Sequence, residues 1–428
     1  MPDLTYPGPE NIHRHVLPNG ITILVYENFA AESVVIDGTL HAGALAESEG
    51  KAGLASFTAS LLMRGTQQRS FGQIYEALES VGAGLDFSSG RHVTEFVAHC
   101  LVEDLDLVLE LLSDSLRHPT FPAVQVELMR GEILTGLQIR ANDTRRMAGL
   151  AFRELLYPHH PYGRSTQGYV ETIPAITAED MMQYHGRYFG PRDMIVGIVG
   201  AVKANEAIAK IEAALGDWQN PQQQTMTAVA DVRRPTETRR IHVPMPDKSQ
   251  SDILLGLPGP LRAAPDYLDA KMMNTILGVF GMMGRIGLNV REKQGLAYYA
   301  YSQLQGGLGP SPWFASAGVS PENVEQAIRS ILDEVARIQD EPVSEEELAD
   351  SQAYITGSMP VGLETNSGLV NVITDMEFYG LGLDYLQHYP DIIRAITPQR
   401  VQAAAQKYLS IEQIAIAVAG PESVISNQ

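Results

Sequence analysis

Apolar residues recur at three- and four-residue spacing through Leu105, Leu109, Leu112 and Leu116, the period of a helix with one buried face. Just before it, FVAHCLV from Phe96 alternates as a half-buried strand does, and a short acidic turn separates the two. The same succession of strand, acidic turn and helix returns at WFASAGVSPENVEQAIRSILDEV from Trp313. A longer repeat lies further on. Residues 173–200, IPAITAEDMMQYHGRYFGPRDMIVGIVG, align without a gap on residues 393–420, IRAITPQRVQAAAQKYLSIEQIAIAVAG. The two are identical at Ile173/Ile393, Ala175/Ala395, Ile176/Ile396, Thr177/Thr397, Tyr188/Tyr408 and Gly200/Gly420. In each copy a Thr N-cap opens an amphipathic helix, with Asp180 at N3 in the first and Pro398 at N1 in the second, and an apolar β-rich run follows.

These repeats predict an internal duplication: an α+β chain of two homologous halves, each a β-sheet covered by helices. The first half spans residues 1–215 and the second 240–428. Between them residues 216–239 are Gln-rich, contain Pro and lack periodicity, as a linker does. Strands and helices alternate unevenly, with NGITILVYEN and SVVIDGTLHAG close together, which speaks against a doubly wound parallel sheet.

Composition narrows the function classes. The chain has 428 residues, with 31 Lys and Arg against 51 Asp and Glu, a formal charge of -20 spread along its length. Nucleic acid and anionic membrane surfaces are poor partners for such a chain. The single cysteine, Cys100, excludes an internal disulfide framework and a thiolate metal cluster. No apolar run approaches the roughly 18 residues of a membrane span, and MPDLTYPGPENIHRH lacks the pattern of a signal peptide. A cytoplasmic chain is expected, or a periplasmic one if a leader has been removed.

No zinc-peptidase motif, HExxH or HxxEH, is present. In HVTEFVAHC the strand alternation sends His92 and Glu95 to opposite faces, and His159 and His160 in LYPHHPYG read as polar tips of a turn. GVFGMMGRIG follows a helix and lacks the Lys and Ser/Thr of a phosphate loop. In GLASFTASLLMRGT, residues 53–66, Ser56, Ala59 and Ser60 share one helical face and leave a hole there. In VREKQGLAYYAYS, residues 290–302, a helix ends near Lys293, Gly295 stops it, and a strand follows with Tyr298 and Ala300 on one face and Tyr299 and Tyr301 on the other. An Arg in a last helical turn and a Tyr at the start of the next strand can aim donors at a peptide carbonyl or its oxyanion. The plainer alternative is that Arg291 pairs with a local acid and the tyrosines pack the sheet.

LPNGITILVYEN, GLASFTASLLMRGT, LYPHHPYG, VREKQGLAYYAYS, and GLGLDYLQHYPDIIRAIT followed by KYL stand in the order in which the insulinase and pitrilysin type of zinc peptidases carries them. Over nearly its whole length the chain resembles the smaller bacterial members related to mitochondrial processing peptidase. Active members carry HxxEH on the helix of GLASFTASLLMRGT, where two His bind zinc and the Glu is general base, and a distant Glu completes the ligand set. Position by position these fall on Ser56, Ala59, Ser60 and Gly136, so the resemblance implies a degenerate site with no metal ligand in this chain. The family's other signature, an Arg and a Tyr seven residues apart that bind the substrate backbone and the tetrahedral intermediate, matches Arg291 and Tyr298.

The resemblance therefore implies the non-zinc-binding subunit of a heterodimeric metalloendopeptidase. A homologous partner would carry the zinc and its HxxEH, this chain would supply Arg291 and Tyr298, and peptides would be the substrates. The isolated chain could also pair with itself. Alternatives are an inert structural or peptide-binding subunit of the same fold, comparable to the core subunits of respiratory complexes, and a self-sufficient hydrolase for which the sequence offers no residues.

Overall fold

The computed structural model describes residues 6–225, 229 and 231–422. It divides into two compact units, each with one mixed sheet covered by helices, so the α+β class and the duplication both hold. The first sheet contains β1 (Ile12–Val16), β2 (Thr22–Glu27), β3 (Ser33–Leu40), β4 (Gly84–Ser89), β5 (Thr94–Leu101) and β6 (Ile195–Gly200), in the order β1-β2-β6-β3-β5-β4. The second contains β7 (Arg239–Pro244), β8 (Ser251–Pro258), β9 (Ala297–Leu304), β10 (Pro312–Val319) and β11 (Ala415–Gly420), in the order β7-β11-β8-β10-β9. Each has a single parallel pair, β2 with β6 and β7 with β11, and antiparallel neighbours elsewhere. The second order is the first without β1.

Both copies of the longer repeat fold alike. Thr177 accepts from the Asp180 N–H in a full capping box at the start of the Ala178–Tyr188 helix, and Thr397 accepts from the Arg400 N–H at the start of Pro398–Tyr408. The strands that follow, β6 and β11, are buried at every residue, which is why they read as unbroken apolar runs.

The compact units are not a linear cut of the chain. The first comprises residues 1–136, 165–228 and 359–389; the second comprises 137–164, 229–358 and 390–428. Each sheet thus takes a helix from the other half of the sequence. Asn366–Phe378 lies on β6, β3 and β2, where Val370, Ile373 and Met376 join Leu24, Val35 and Val199 in one core. Gly197 permits this approach: a Cβ there would come within 2.5 Å of Thr374 Cγ2 and 2.9 Å of Val370 Cγ2. In the second unit Thr144–Leu156 lies on β11, β8 and β7 and buries Ala148, Ala151, Phe152 and Leu156. Periodicity marks such helices as amphipathic but does not say which sheet they cover.

The expected linker, residues 216–239, is packed at its start. Trp218 is buried, Asn220 Nδ2 donates to the carbonyls of Gly186 and Phe189 at 2.8 Å each, and Gln223 exchanges hydrogen bonds with the Arg192 main chain. Residues 226–228 and 230 of that stretch lie outside the described residues. Among the described residues no helix is long and apolar enough to cross a membrane.

Candidate functional site

The stretch GLASFTASLLMRGT belongs to the first unit. Leu54–Leu61 is the helix, shorter than its apolar pattern suggests, and its first turn is held by Glu47. That carboxylate, buried at 6% exposure, accepts from the N–H groups of Gly53 at 3.1 Å and Ala55 at 2.6 Å. It satisfies two of the donors that a helix start leaves open and places negative charge at the positive end of the helix dipole. Replacing Glu47 with Ala lowers the stability of the chain by about 2 kcal/mol, whereas Gln, which keeps an acceptor, costs about half as much. Urea unfolding of the two variants is the measurement; equal loss in both places the effect in packing instead.

On this helix Ser56 and Ser60 are half-buried and Ala59 is buried. Ser60 Oγ turns back on its own helix and donates to the Ser56 carbonyl at 2.9 Å. Beneath them Phe57 is fully buried, with the Arg130 guanidinium 5.3 Å from its ring centre. Gly136, within the Ala123–Ala141 helix, is exposed, and a Cβ there would meet nothing within 4 Å. Two hydroxyls, a methyl and a bare Cα are not a zinc ligand set. Among the described residues no group of three or more His, Cys, Asp or Glu stands where it could hold a metal ion. The residues present do not fit zinc.

Arg291 and Tyr298 belong to the second unit. The helix that ends at Lys293 is a π-helical turn, Gly287–Lys293, rather than a continuing α-helix. Gly295 follows with φ 63, as its stopping role requires. Arg291 is 29% exposed, and among the described residues its one ion pair is a loose contact with neighbouring Glu292 at 3.5 Å. The plainer expectation of a local acid is met only to that extent.

Tyr298 stands near the start of β9, at the edge of the sheet. Here alternation fails. Ala297 opposes Val319 and Tyr299 opposes Gly318, so Tyr298 is the extra residue of a β-bulge. The expectation that Tyr298 and Ala300 lie on one face by simple alternation is therefore corrected at the bulge: Ala300 is fully buried and Tyr298 is 82% exposed. A phenol so exposed contributes little to packing, and the bulge turns it out of the sheet.

The tyrosines that follow do pack. Tyr299 reaches across Gly318, where a Cβ would come within 2.5 Å of its Cε1, and its hydroxyl donates to Asp252 Oδ1 on β8. Asp252 is 1% exposed and also accepts from Thr144 Oγ1 and from Gln250 Nε2 at 3.1 Å. Burial, reinforced by the Asp252 carboxylate, pushes the Tyr299 phenol well above its ordinary range, so it stays protonated as the donor. Arg145 lies 4.9 Å from the Tyr299 ring centre and 5.4 Å from that of Tyr301, and donates to the Tyr301 hydroxyl. This tether fixes β9 immediately beside the bulge. Sequence reading missed it, although Asp252 inside the apolar run SDILLGLP was a signal.

The other stretches singled out by sequence carry local structure. His92 precedes β5, which begins at Thr94, while Glu95 is exposed on it. His160 Nδ1 accepts from the Tyr162 N–H at 3.1 Å within a turn in which His159 has φ 59. GVFGMMGRIG forms an irregular helical turn, Phe280–Ile286, with positive φ at Gly281, Met283 and Gly284.

Two family models match the chain in succession: insulinase, peptidase family M16, over residues 23–166, and the peptidase M16 inactive domain over residues 175–354. An uncharacterized zinc protease of Streptomyces coelicolor is 26% identical over 97% of this chain and 90% of its own. A probable mitochondrial-processing peptidase subunit beta of Arabidopsis thaliana is 21% identical, with 98% of this chain and 82% of its own covered. Among solved structures, a peptidase M16 inactive domain from Pseudomonas fluorescens superposes with a TM-score of 0.89 at 25% identity, covering 96% of this chain and 98% of its own. A protease from Helicobacter pylori has the same fold, with a TM-score of 0.90 at 18% identity over 97% of this chain and 100% of its own. On these matches, which between them run through both halves, the chain belongs to the insulinase family of peptidases, M16.

Proposed function

We propose that this chain is the non-zinc-binding subunit of a two-chain metalloendopeptidase, in which Arg291 and Tyr298 bind the substrate peptide while a homologous partner carries the zinc and its HxxEH. The observation that carries this reading is the contrast between two places. At the expected ligand positions stand Ser56, Ala59, Ser60 and Gly136, yet Tyr298 is turned out on a bulge at 82% exposure, close in sequence to an Arg on a π-turn. Bulges and π-turns both displace side chains from their regular directions and recur beside functional sites. A guanidinium and a phenol suit an extended peptide, since both donate hydrogen bonds to carbonyl oxygens and the bonds strengthen as negative charge develops there. The relative named as a mitochondrial-processing peptidase subunit beta supports a heterodimeric arrangement.

A second reading, an inert peptide-binding or structural subunit, draws support from the degenerate site alone. Metal analysis and a peptidase assay separate the possibilities. Purified alone, the chain contains no stoichiometric zinc and cleaves no peptide; mixed with a homologous chain that carries HxxEH, it forms a complex that does. Zinc-dependent turnover by this chain alone overturns the proposal, and a complex whose activity does not depend on this chain favours the inert subunit.

A further inference from the structure

Arg291 has little of its own to hold it. Among the described residues its guanidinium has one ion pair, with Glu292 at 3.5 Å, so its direction is set by the backbone beneath it. That backbone is a π-helical turn, which carries more residues per turn than an α-helix. If it relaxed to α-geometry, Arg291 would swing by about 100°, the angular step of one residue. Something must hold the turn in the less common form.

The neighbouring Val324–Asp340 helix supplies it. Asn289, inside the turn, donates through Nδ2 to Glu334 Oε1 at 2.7 Å. Its own Oδ1 accepts from Gln294 Nε2 at 2.7 Å, and that amide also donates to Ser330 Oγ at 2.9 Å. Gln294 Oε1 in turn accepts from Gln326 Nε2 at 3.0 Å. The main chain closes around the same residues, Gln294 N–H to Asn289 O at 3.1 Å and Leu296 N–H to Val290 O at 3.0 Å. Glu334 is buried at 5% exposure and pairs with Arg337 at 2.6 Å. A buried carboxylate costs free energy unless its partners are fixed, so it fixes Asn289 in return. On the approach to the turn, Arg285 grips Glu347 through two hydrogen bonds of 2.7 and 2.5 Å.

We propose that Asn289 and Glu334 are positioning residues for Arg291: the carboxylate of Glu334, acting through the Asn289 amide, keeps the turn in its π form and so aims the guanidinium at the peptide. This rests on the reading of Arg291 as a peptide-binding group.

A double-mutant cycle in the complex with the zinc-bearing partner tests it. Asn289→Ala lowers kcat/KM by about 10–100-fold, the usual cost of misplacing a binding group by an ångström or so. In an Arg291→Ala background the same change costs no more than about twofold, because the group it positions is gone. Glu334→Gln, which still accepts from Asn289, retains most of the activity that Glu334→Ala loses. Wild-type activity in Asn289→Ala, or an equal loss with and without Arg291, overturns the inference while leaving the role of Arg291 intact. Wild-type turnover in Arg291→Ala alone overturns the underlying reading and the inference with it. Hydrogen exchange on the isolated chain gives a check that needs no partner. The amides of Gln294 and Leu296 exchange faster in Asn289→Ala than in the wild type, and unchanged exchange removes the proposed lock.

Discussion

Turnover by the assembled two-chain peptidase falls by about 10²–10³ when Arg291 becomes Ala, and by a similar factor when Tyr298 becomes Phe, the loss typical of one oxyanion donor. The phenylalanine variant is the sharper of the two. It removes one hydroxyl and leaves the ring, and because Tyr298 is 82% exposed on its bulge the change costs the fold almost nothing. Arg291 gives up a loose 3.5 Å contact with exposed Glu292, so its removal is also cheap in stability. Both variants should melt with the wild type while kcat falls, which separates lost chemistry from lost folding. The double variant loses less than the product of the two factors if both groups serve one carbonyl oxygen. Steady-state kinetics on an extended peptide provides the measurement; wild-type kcat in both variants would leave only the inert-subunit reading.

The sequence made the duplication legible because Thr177 and Thr397 open equivalent helices and the following strands are apolar at every position. It also isolated residues 290–302, since a Gly stop between a helix and a Tyr-rich strand is a local signal. What it left hidden depends on neighbours distant along the chain. The exchange of Thr144–Leu156 and Asn366–Phe378 between units is set by which sheet offers a close seat, such as Gly197, and no period in either helix encodes that. The bulge at Tyr298 arises where Tyr299 is drawn over Gly318 to Asp252, a partner on a strand two places away. The π-turn under Arg291 is fixed by Glu334 on another helix. Propensity rules describe regular elements, and both members of the Arg/Tyr pair sit at irregularities.

Acid weakens the first unit through its buried histidines before most carboxylates titrate, and His185 is one of them. Its ring stacks on Phe189 at 4.7 Å, lies edge-on to Phe121 at 6.2 Å, and places Nε2 2.8 Å from the Leu116 carbonyl. Burial lowers its pKa to about 4, the carbonyl partly opposing and His118 adding to the fall. In the unfolded chain an imidazole titrates near its ordinary value of about 6.5, so between these limits the unfolded state binds the extra proton. Stability from this group is complete above about pH 6.5 and is lost as pH falls toward 4, by up to about 3 kcal/mol. His92, also lowered to about 4 mainly by burial, acts in the same direction. Asp37 opposes it, because burial raises its pKa and protonation at low pH favours the folded form. His185→Gln keeps an amide donor for Leu116 without a titrating ring. Urea unfolding at pH 7 and pH 5 should therefore show a smaller loss for the variant than for the wild type, and equal losses would place the acid sensitivity elsewhere.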